Sequence, residues 1–340
     1  MRRRTLVHAA AAALTTPGPF RVLAQAPNAG PMRRIAILGA GSDTEPGPPG
    51  HRRPNAERLW ASVGHVEGRS ILIERRFADG NLERLPDLAG ELLKHDPEVL
   101  IAYGEAAVAA ARATQKVPIV AVFVFEPMKA GLIDSYRRPG RNVTGIALSH
   151  GFETSHLRLQ ILRALAPSAR RLSLLGVDTR LWTISGQPLD LESEVAAVAA
   201  SLGFEATVHH FVRKPDDVGR ALDAAAAARA QVVAISGSPF SAARQRVAAF
   251  ATSQRWVSTT LTPELLDAGL IVYHGASTES AEIYQRMAQM TDRILRGARP
   301  AEMAMELPTR YELALNLKSA SALGLTVPQS VRLQADRVIE

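Results

Sequence analysis

The sequence predicts an α/β protein built from two doubly wound, Rossmann-like lobes with mostly parallel sheets, joined by a hinge that the chain crosses more than once. Three observations lead there. Short apolar runs alternate with helix-spaced stretches from residue 33 onward, the pattern of βαβ units. After five such runs the pattern starts again. The spacings of the two halves agree: Ile35 to Ile71 is 36 residues against 34 for Leu172 to Ala206, and Ile35 to Val99 is 64 against 60 for Leu172 to Val232. Two copies of one unit explain this most economically.

The first unit opens at Arg34–Leu38, a short run ending at Gly39 that reads as a strand buried on both faces. Ser70–Glu74 is the second strand. Leu82, Leu85, Leu88, Ala89, Leu92 and Leu93 then follow helical spacing until Asp96-Pro97 stops them. Val99–Tyr103 is the third strand, Ala106–Thr114 an alanine-rich helix, Val117–Phe123 the fourth strand and Val143–Leu148 the fifth. In the second unit, Leu172–Gly176, Ala206–Phe211, Val232–Ser236, Trp256–Leu261 and Leu270–Tyr273 take the same five places. Beyond it, Ala281–Leu295 is a helix ended by Gly297 and Tyr311–Asn316 is strand-like. Lys318–Leu323 is a short helix, and Val331–Val338 is expected to be another. A tail of this length implies further crossings between the lobes. Lobe 1 is expected over 32–148 plus about 276–305, and lobe 2 over 149–275 plus about 306–340. Ligands on open sheets of this kind sit outside the carboxyl ends of the strands, so two facing lobes make a cleft.

Composition narrows the function. The 340 residues are 46% hydrophobic, enough for a sizeable core, and contain no cysteine, which excludes disulfides, thiolate nucleophiles and Cys-based zinc sites. Of the net charge of +7, Arg2, Arg3, Arg4 and Arg21 supply four. No stretch clusters basic residues with aromatics, so no nucleic-acid partner is expected. Residues 1–26 read as a signal peptide: a basic start, an apolar run from Leu6 to Leu14, and Ala24-Gln25-Ala26 as a small-x-small cleavage site, with cleavage after Ala24 the alternative. A periplasmic location follows as an expectation.

The candidate binding residues sit at strand ends. Gly41 and Ser42 follow the first strand in Gly39-Ala-Gly-Ser-Asp-Thr44. Thr44 stands where a dinucleotide fingerprint has its third glycine, so a solute-facing loop or a plain turn fits better than a nucleotide cofactor. Gly104 and Glu105 close the third strand, and Ser238-Pro239 is their counterpart in the second unit. Two facing helix N-termini there could grip a carboxylate. Phe125, Glu126 and Pro127 follow the fourth strand, where a carboxylate beside aromatics suits a ligand ammonium. Tyr273 ends the tenth strand and could wall the cleft. Each of these also has a plain structural reading as a turn, cap or core residue. His209 and His210 are adjacent on a strand and so point to opposite faces. No HExxH, GxSxG or Walker A pattern occurs. No metal, cofactor or catalytic residue is expected.

Several segments together resemble the ABC transporter substrate-binding family, whose members include aromatic-amino-acid-type binding proteins with the type I periplasmic binding fold. They are Val66-Glu-Gly-Arg69, Phe77-Ala-Asp-Gly80 with Arg84-Leu-Pro86, Val117-Pro-Ile-Val120, Arg138-Pro-Gly-Arg-Asn-Val-Thr-Gly145, and Leu162–Pro167. Toward the C-terminus come Ile294–Pro300, Pro308-Thr-Arg-Tyr-Glu-Leu313, Asn316–Ala320 and Leu323–Pro328. The resemblance implies export, hinge closure on a small solute, no enzyme activity, and a membrane permease and ATPase as partners of a monomer. By position Ser42 matches the first binding loop, Glu126-Pro127 the acidic-Pro turn, and Pro239 and Tyr273 cleft positions of the second lobe. The solute is expected to be an amino acid or a related small molecule. Two departures stand out. Pro46–Pro54 replaces the usual start of the first helix, shortening it to about Asn55–Val63, and Thr259-Thr260 sits where an aromatic is common. A ligand sensor for a membrane receptor and a doubly wound cleft enzyme are the alternatives.

Overall fold

The computed structural model describes residues 32–42, 56–148, 153–189, 191–276 and 281–340. The expected signal peptide, Asp43, the stretch 46–54 and the side chains of His209 and His210 lie outside what it describes.

The first sheet comprises β1 (Arg33–Gly39), β2 (Ile71–Phe77), β3 (Val99–Tyr103), β4 (Ile119–Val124) and β5 (Val143–Ala147), in the order β2-β1-β3-β4-β5 and parallel throughout. Its side chains divide by the two-residue period of a strand. Ala36, Leu38, Leu100, Ala102, Ile119 and Ala121 pack with the helices α2 (Leu85–Leu93) and α3 (Ala106–Ala113). Ile35, Ile37, Ile101, Val120 and Val122 pack on the other face with α1 (Ala56–Ala61) and a helix from late in the chain, Ala281–Leu295. Both faces are covered, which is why these strands are continuous apolar runs rather than alternating ones.

The second sheet repeats this plan. β6 (Arg171–Val177), β7 (Glu205–Val212), β8 (Val232–Ile235), β9 (Val257–Thr260) and β10 (Val272–Ala276) run β7-β6-β8-β9-β10, all parallel. Leu172, Val232 and Val257 meet α4 (Glu153–Leu165) and α5 (Leu191–Ser201) on one face. Leu175, Val233 and Ile235 meet α6 (Val218–Ala227) and α8 (Arg244–Ser253) on the other, with the short α7 (Ser238–Ala242) between β8 and α8 and α9 (Pro263–Ala268) after β9.

After β10 the chain returns to the first sheet as α10 (Ala281–Leu295) and then crosses back. β11 (Tyr311–Asn316) pairs antiparallel with β10, α11 (Leu317–Ala322) follows, and the edge is finished by β12 (Arg337–Ile339). The helix expected over Val331–Val338 is corrected here: α12 (Gln329–Arg332) is a single turn, and the chain then extends into β12. The Asp336 carboxylate accepts the Leu313 amide at 2.9 Å and the Asp336 amide donates to Leu313 O at 2.8 Å, and this pairing pulls the segment into the sheet.

In each sheet the first strand of the unit lies between the second and third. Helices α1 and α3, which follow β1 and β3, therefore leave toward opposite faces, and a crevice opens between the two turns. The crevices of the two sheets face each other. At one edge the Leu82 amide donates to Arg213 O at 2.8 Å, and Lys214 pairs with Glu83 at 3.2 Å. At another the Ile184 amide donates to Ala130 O at 2.8 Å, and Lys129 pairs with Glu194 at 2.8 Å. The lobes thus meet around the crevice in a closed arrangement.

Candidate functional site

Between the lobes lies a cavity of about 520 Å³, within the usual range for small-molecule sites. Its walls come from the strand ends of both sheets. The first sheet supplies Gly41 and Ser42 after β1, Asp79 after β2, Tyr103, Gly104 and Glu105 at the end of β3, and Phe123 and Phe125 at the end of β4. The second supplies Ser236, Gly237 and Ser238 after β8, Thr262 and Glu264 after β9, and Tyr273 within β10. Trp182, in a 3-10 turn after β6, and Tyr284 of α10 complete the wall.

Of the residues singled out in the sequence, Gly41, Ser42, Gly104, Glu105, Phe125, Ser238 and Tyr273 are brought together on this cavity. Glu126, Pro127 and Pro239 are not among its lining residues. The cause at Glu126 is local. The β4–β5 register slips between Val122 and Val124, and Phe123 and Glu126 both adopt positive φ, 60° and 46°. This bulge and turn put Phe123 and Phe125 on the cavity and bury Glu126. Its charge acts on Tyr136 instead: burial first, then Glu126, pushes that phenol up to about 12. Bulges and strained backbone of this kind concentrate beside functional sites. Pro239 is the second residue of α7 and faces the core. Thr259 and Thr260 are fully buried in β9.

The aromatic walls are held by one another. Phe125 packs on Trp182 with ring centroids 5.2 Å apart, and Phe123 meets the edge of Tyr284 at 6.3 Å. Tyr273 is fully buried, its hydroxyl donates to Ala276 O at 2.7 Å, and burial holds its pKa far above the ordinary tyrosine value. Arg158 of α4 is buried and interacts electrostatically with Tyr273. Burial lowers its guanidinium to about 10, so it stays protonated at neutral pH.

The two turns expected to grip a ligand carboxylate meet each other directly. Glu105 accepts the Ser238 hydroxyl at 2.9 Å and the Ser238 amide at 3.2 Å. Close approach nearby requires glycine at two places. Gly237 has φ of 118°, and a Cβ on it would lie 2.5 Å from Val177 Cγ2. Gly80 has φ of 79°, and a Cβ there would lie 2.7 Å from the Ala242 side chain and 3.0 Å from Ser238 O. Asp79-Gly80 is held in place by its amides, which donate to Gly41 O at 2.9 Å and Ala40 O at 2.8 Å.

Sequence reasoning missed Asp79, Trp182, Glu264 and Tyr284. The internal duplication carried a signal for two of them. Trp182 follows the first strand of its unit as Ser42 does, and Pro263-Glu264 follows the fourth as Glu126-Pro127 does. Tyr284 lies on a helix outside the repeated unit and had no such signal.

Comparison with known proteins agrees with this architecture. A conserved domain protein from Vibrio cholerae O1 biovar El Tor superposes with a TM-score of 0.78 at 20% identity, over 90% of this chain and 99% of that one. An ABC domain in complex with L-Trp from Streptococcus pneumonia gives 0.76 at 18% identity, over 91% and 100%. At such identities the likeness concerns the fold, two lobes of the type I periplasmic binding class. A tyrosine-binding protein of Clostridioides difficile strain R20291 is 26% identical over 113 residues. That match spans only about a third of either protein, 33% of this chain and 32% of the relative. The profile described as ABC transporter substrate binding protein matches residues 60–339. That match runs through both lobes and the hinge crossings, and the chain belongs to the ABC transporter substrate-binding protein family.

Proposed function

We propose that this protein is the extracytoplasmic solute-binding component of an ABC importer, and that it captures one small molecule in the cavity between its lobes. The observation that carries this reading is the cavity itself: about 520 Å³, built from the strand ends of both sheets and closed over by contacts between the lobes. A solute touching Ser42, Phe125 and Glu105 on one side and Ser238, Thr262 and Tyr273 on the other contacts both walls only when the lobes are together. It therefore favours the closed state by its differential affinity for that state. Hinge closure of this kind is an established repertoire of two-lobed binding proteins. The closed shape is then what a permease and its ATPase read. The work of the site is binding rather than chemistry, and the solute pool is the periplasm, reached through the basic, apolar N-terminal segment.

Native mass spectrometry of the exported protein, followed by a thermal-shift screen, tests the reading. A co-purifying small mass, or a probe that raises the melting temperature by mass action, is the expected result. No bound mass and no shift across sugars, amino acids, carboxylates and amines would overturn it. N-terminal sequencing of the exported chain is expected to begin at Gln25 or Pro27.

A further inference from the structure

The described walls of the cavity are one-sided in charge. Among the described residues its ionisable walls are Asp79, Glu105 and Glu264, with the tyrosines Tyr103, Tyr273 and Tyr284, and it has no Lys or Arg. Cations that reach its walls are turned to other work: Arg84 pairs with Asp79 at 3.3 Å, Arg244 donates to Ser241 O at 3.2 Å, and Arg158 is buried and does not line the cavity. A ligand carboxylate would need a cation or several donated hydrogen bonds. One place offering such donors at the lobe junction, the hydroxyl and amide of Ser238, is already taken. Both donate to Glu105, a carboxylate of the protein's own. Glu105 thus occupies both Ser238 donors at this junction, and its charge repels a ligand carboxylate brought there. The rest of the wall mixes hydroxyl residues such as Ser42 and Thr262 and aliphatic side chains with the aromatic Tyr103, Phe125 and Trp182. Acids and ring faces together stabilise a desolvated organic cation.

We propose that the cleft takes an organic amine, a protonated nitrogen on a flat apolar body without a carboxylate, and discriminates against amino acids and carboxylic acids of the same shape. The proposal rests on the reading of the cleft as a solute site. The ammonium lies toward Glu105 and Glu264, and the apolar body lies against Phe125 and Trp182. Glu105 keeps lone pairs for it while holding Ser238, because a carboxylate accepts about four hydrogen bonds.

Calorimetric titration of the full chain with a matched set decides this: tryptamine, tryptophan and indole-3-propionate, then tyramine and tyrosine. Tryptamine or tyramine is expected to bind at least tenfold more tightly than its amino acid, with no binding of indole-3-propionate. Glu105→Gln, nearly identical in shape and checked for folding by circular dichroism, is expected to shrink the preference for amine over amino acid at least tenfold. An amino acid or indole-3-propionate binding more tightly than the amine would overturn the proposal and leave the solute-binding reading standing. So would a preference unchanged in Glu105→Gln. Silence of the matched set while the broad screen finds a sugar or a carboxylate would do the same. Silence of both would remove the proposal together with the reading beneath it.

Discussion

Gly80→Ala tests whether the closed arrangement is a state of the free protein. The substitution acts twice. At φ of 79° an L-residue costs about 1–2 kcal/mol whether the lobes are open or closed, and this lowers overall stability. The new Cβ also lies 2.7 Å from Ala242 and 3.0 Å from Ser238 O, and both belong to the opposite lobe. That clash exists only when the lobes meet. Overpacking of this kind costs about 1–3 kcal/mol, which shifts an open–closed equilibrium roughly 5- to 150-fold toward open. The chain has no cysteine, so spin labels at Asp87→Cys on α2 and Asp223→Cys on α6 report one inter-lobe distance without background. Both sites are exposed. The unsubstituted protein is expected to show a short-distance component, and Gly80→Ala is expected to lose most of it. A reference distribution with no short component would refute the reasoning, as would a short component that survives the substitution.

Three further outcomes follow from the packing and electrostatics. Burial alone would raise the Asp178 pKa, but hydrogen bonds from Arg180 and Arg213 outweigh it and hold the carboxyl down to about 2. A depressed folded-state pKa stabilises above the unfolded value of 3.8, so this contribution is present near neutral pH and lost as pH falls from about 4 toward 2. Urea unfolding across that window is expected to show a steeper loss of stability in the parent than in Asp178→Asn, which is itself destabilised by about 1–3 kcal/mol at neutral pH. Trp60 of α1 is fully buried against α10 and the first sheet, and Trp60→Ala is expected to cost about 3–5 kcal/mol by thermal or urea unfolding. Trp182 is half-buried on Phe125. Trp182→Ala is expected to weaken binding of any aromatic probe by about 1 kcal/mol or more, roughly fivefold, while calorimetric unfolding shows a smaller loss than Trp60→Ala.

Much of this protein is determined by local sequence. Runs such as Ile35-Ala-Ile-Leu38 and Val99-Leu-Ile-Ala102 are short, continuous and apolar, the pattern of strands buried on both faces of a covered parallel sheet. The even spacing of their repeats predicts two copies of that sheet, and the carboxyl ends of the strands mark where a ligand sits. That Gly41, Ser42, Gly104, Glu105, Phe125, Ser238 and Tyr273 line the cavity was legible for this reason. Which strand-end residues face the cavity was decided by tertiary structure. A bulge at Phe123 and a left-handed residue at Glu126 turn two aromatics toward the cavity and bury the acid, and neither conformation is favoured by the local sequence. Val331–Val338 reads as helical, yet pairing with β11 extends its end into a strand. The contact of Glu105 with Ser238 joins residues 133 positions apart. It exists only because the two lobes close on each other, and a long-range contact of that kind leaves no periodicity in the chain from which to read it.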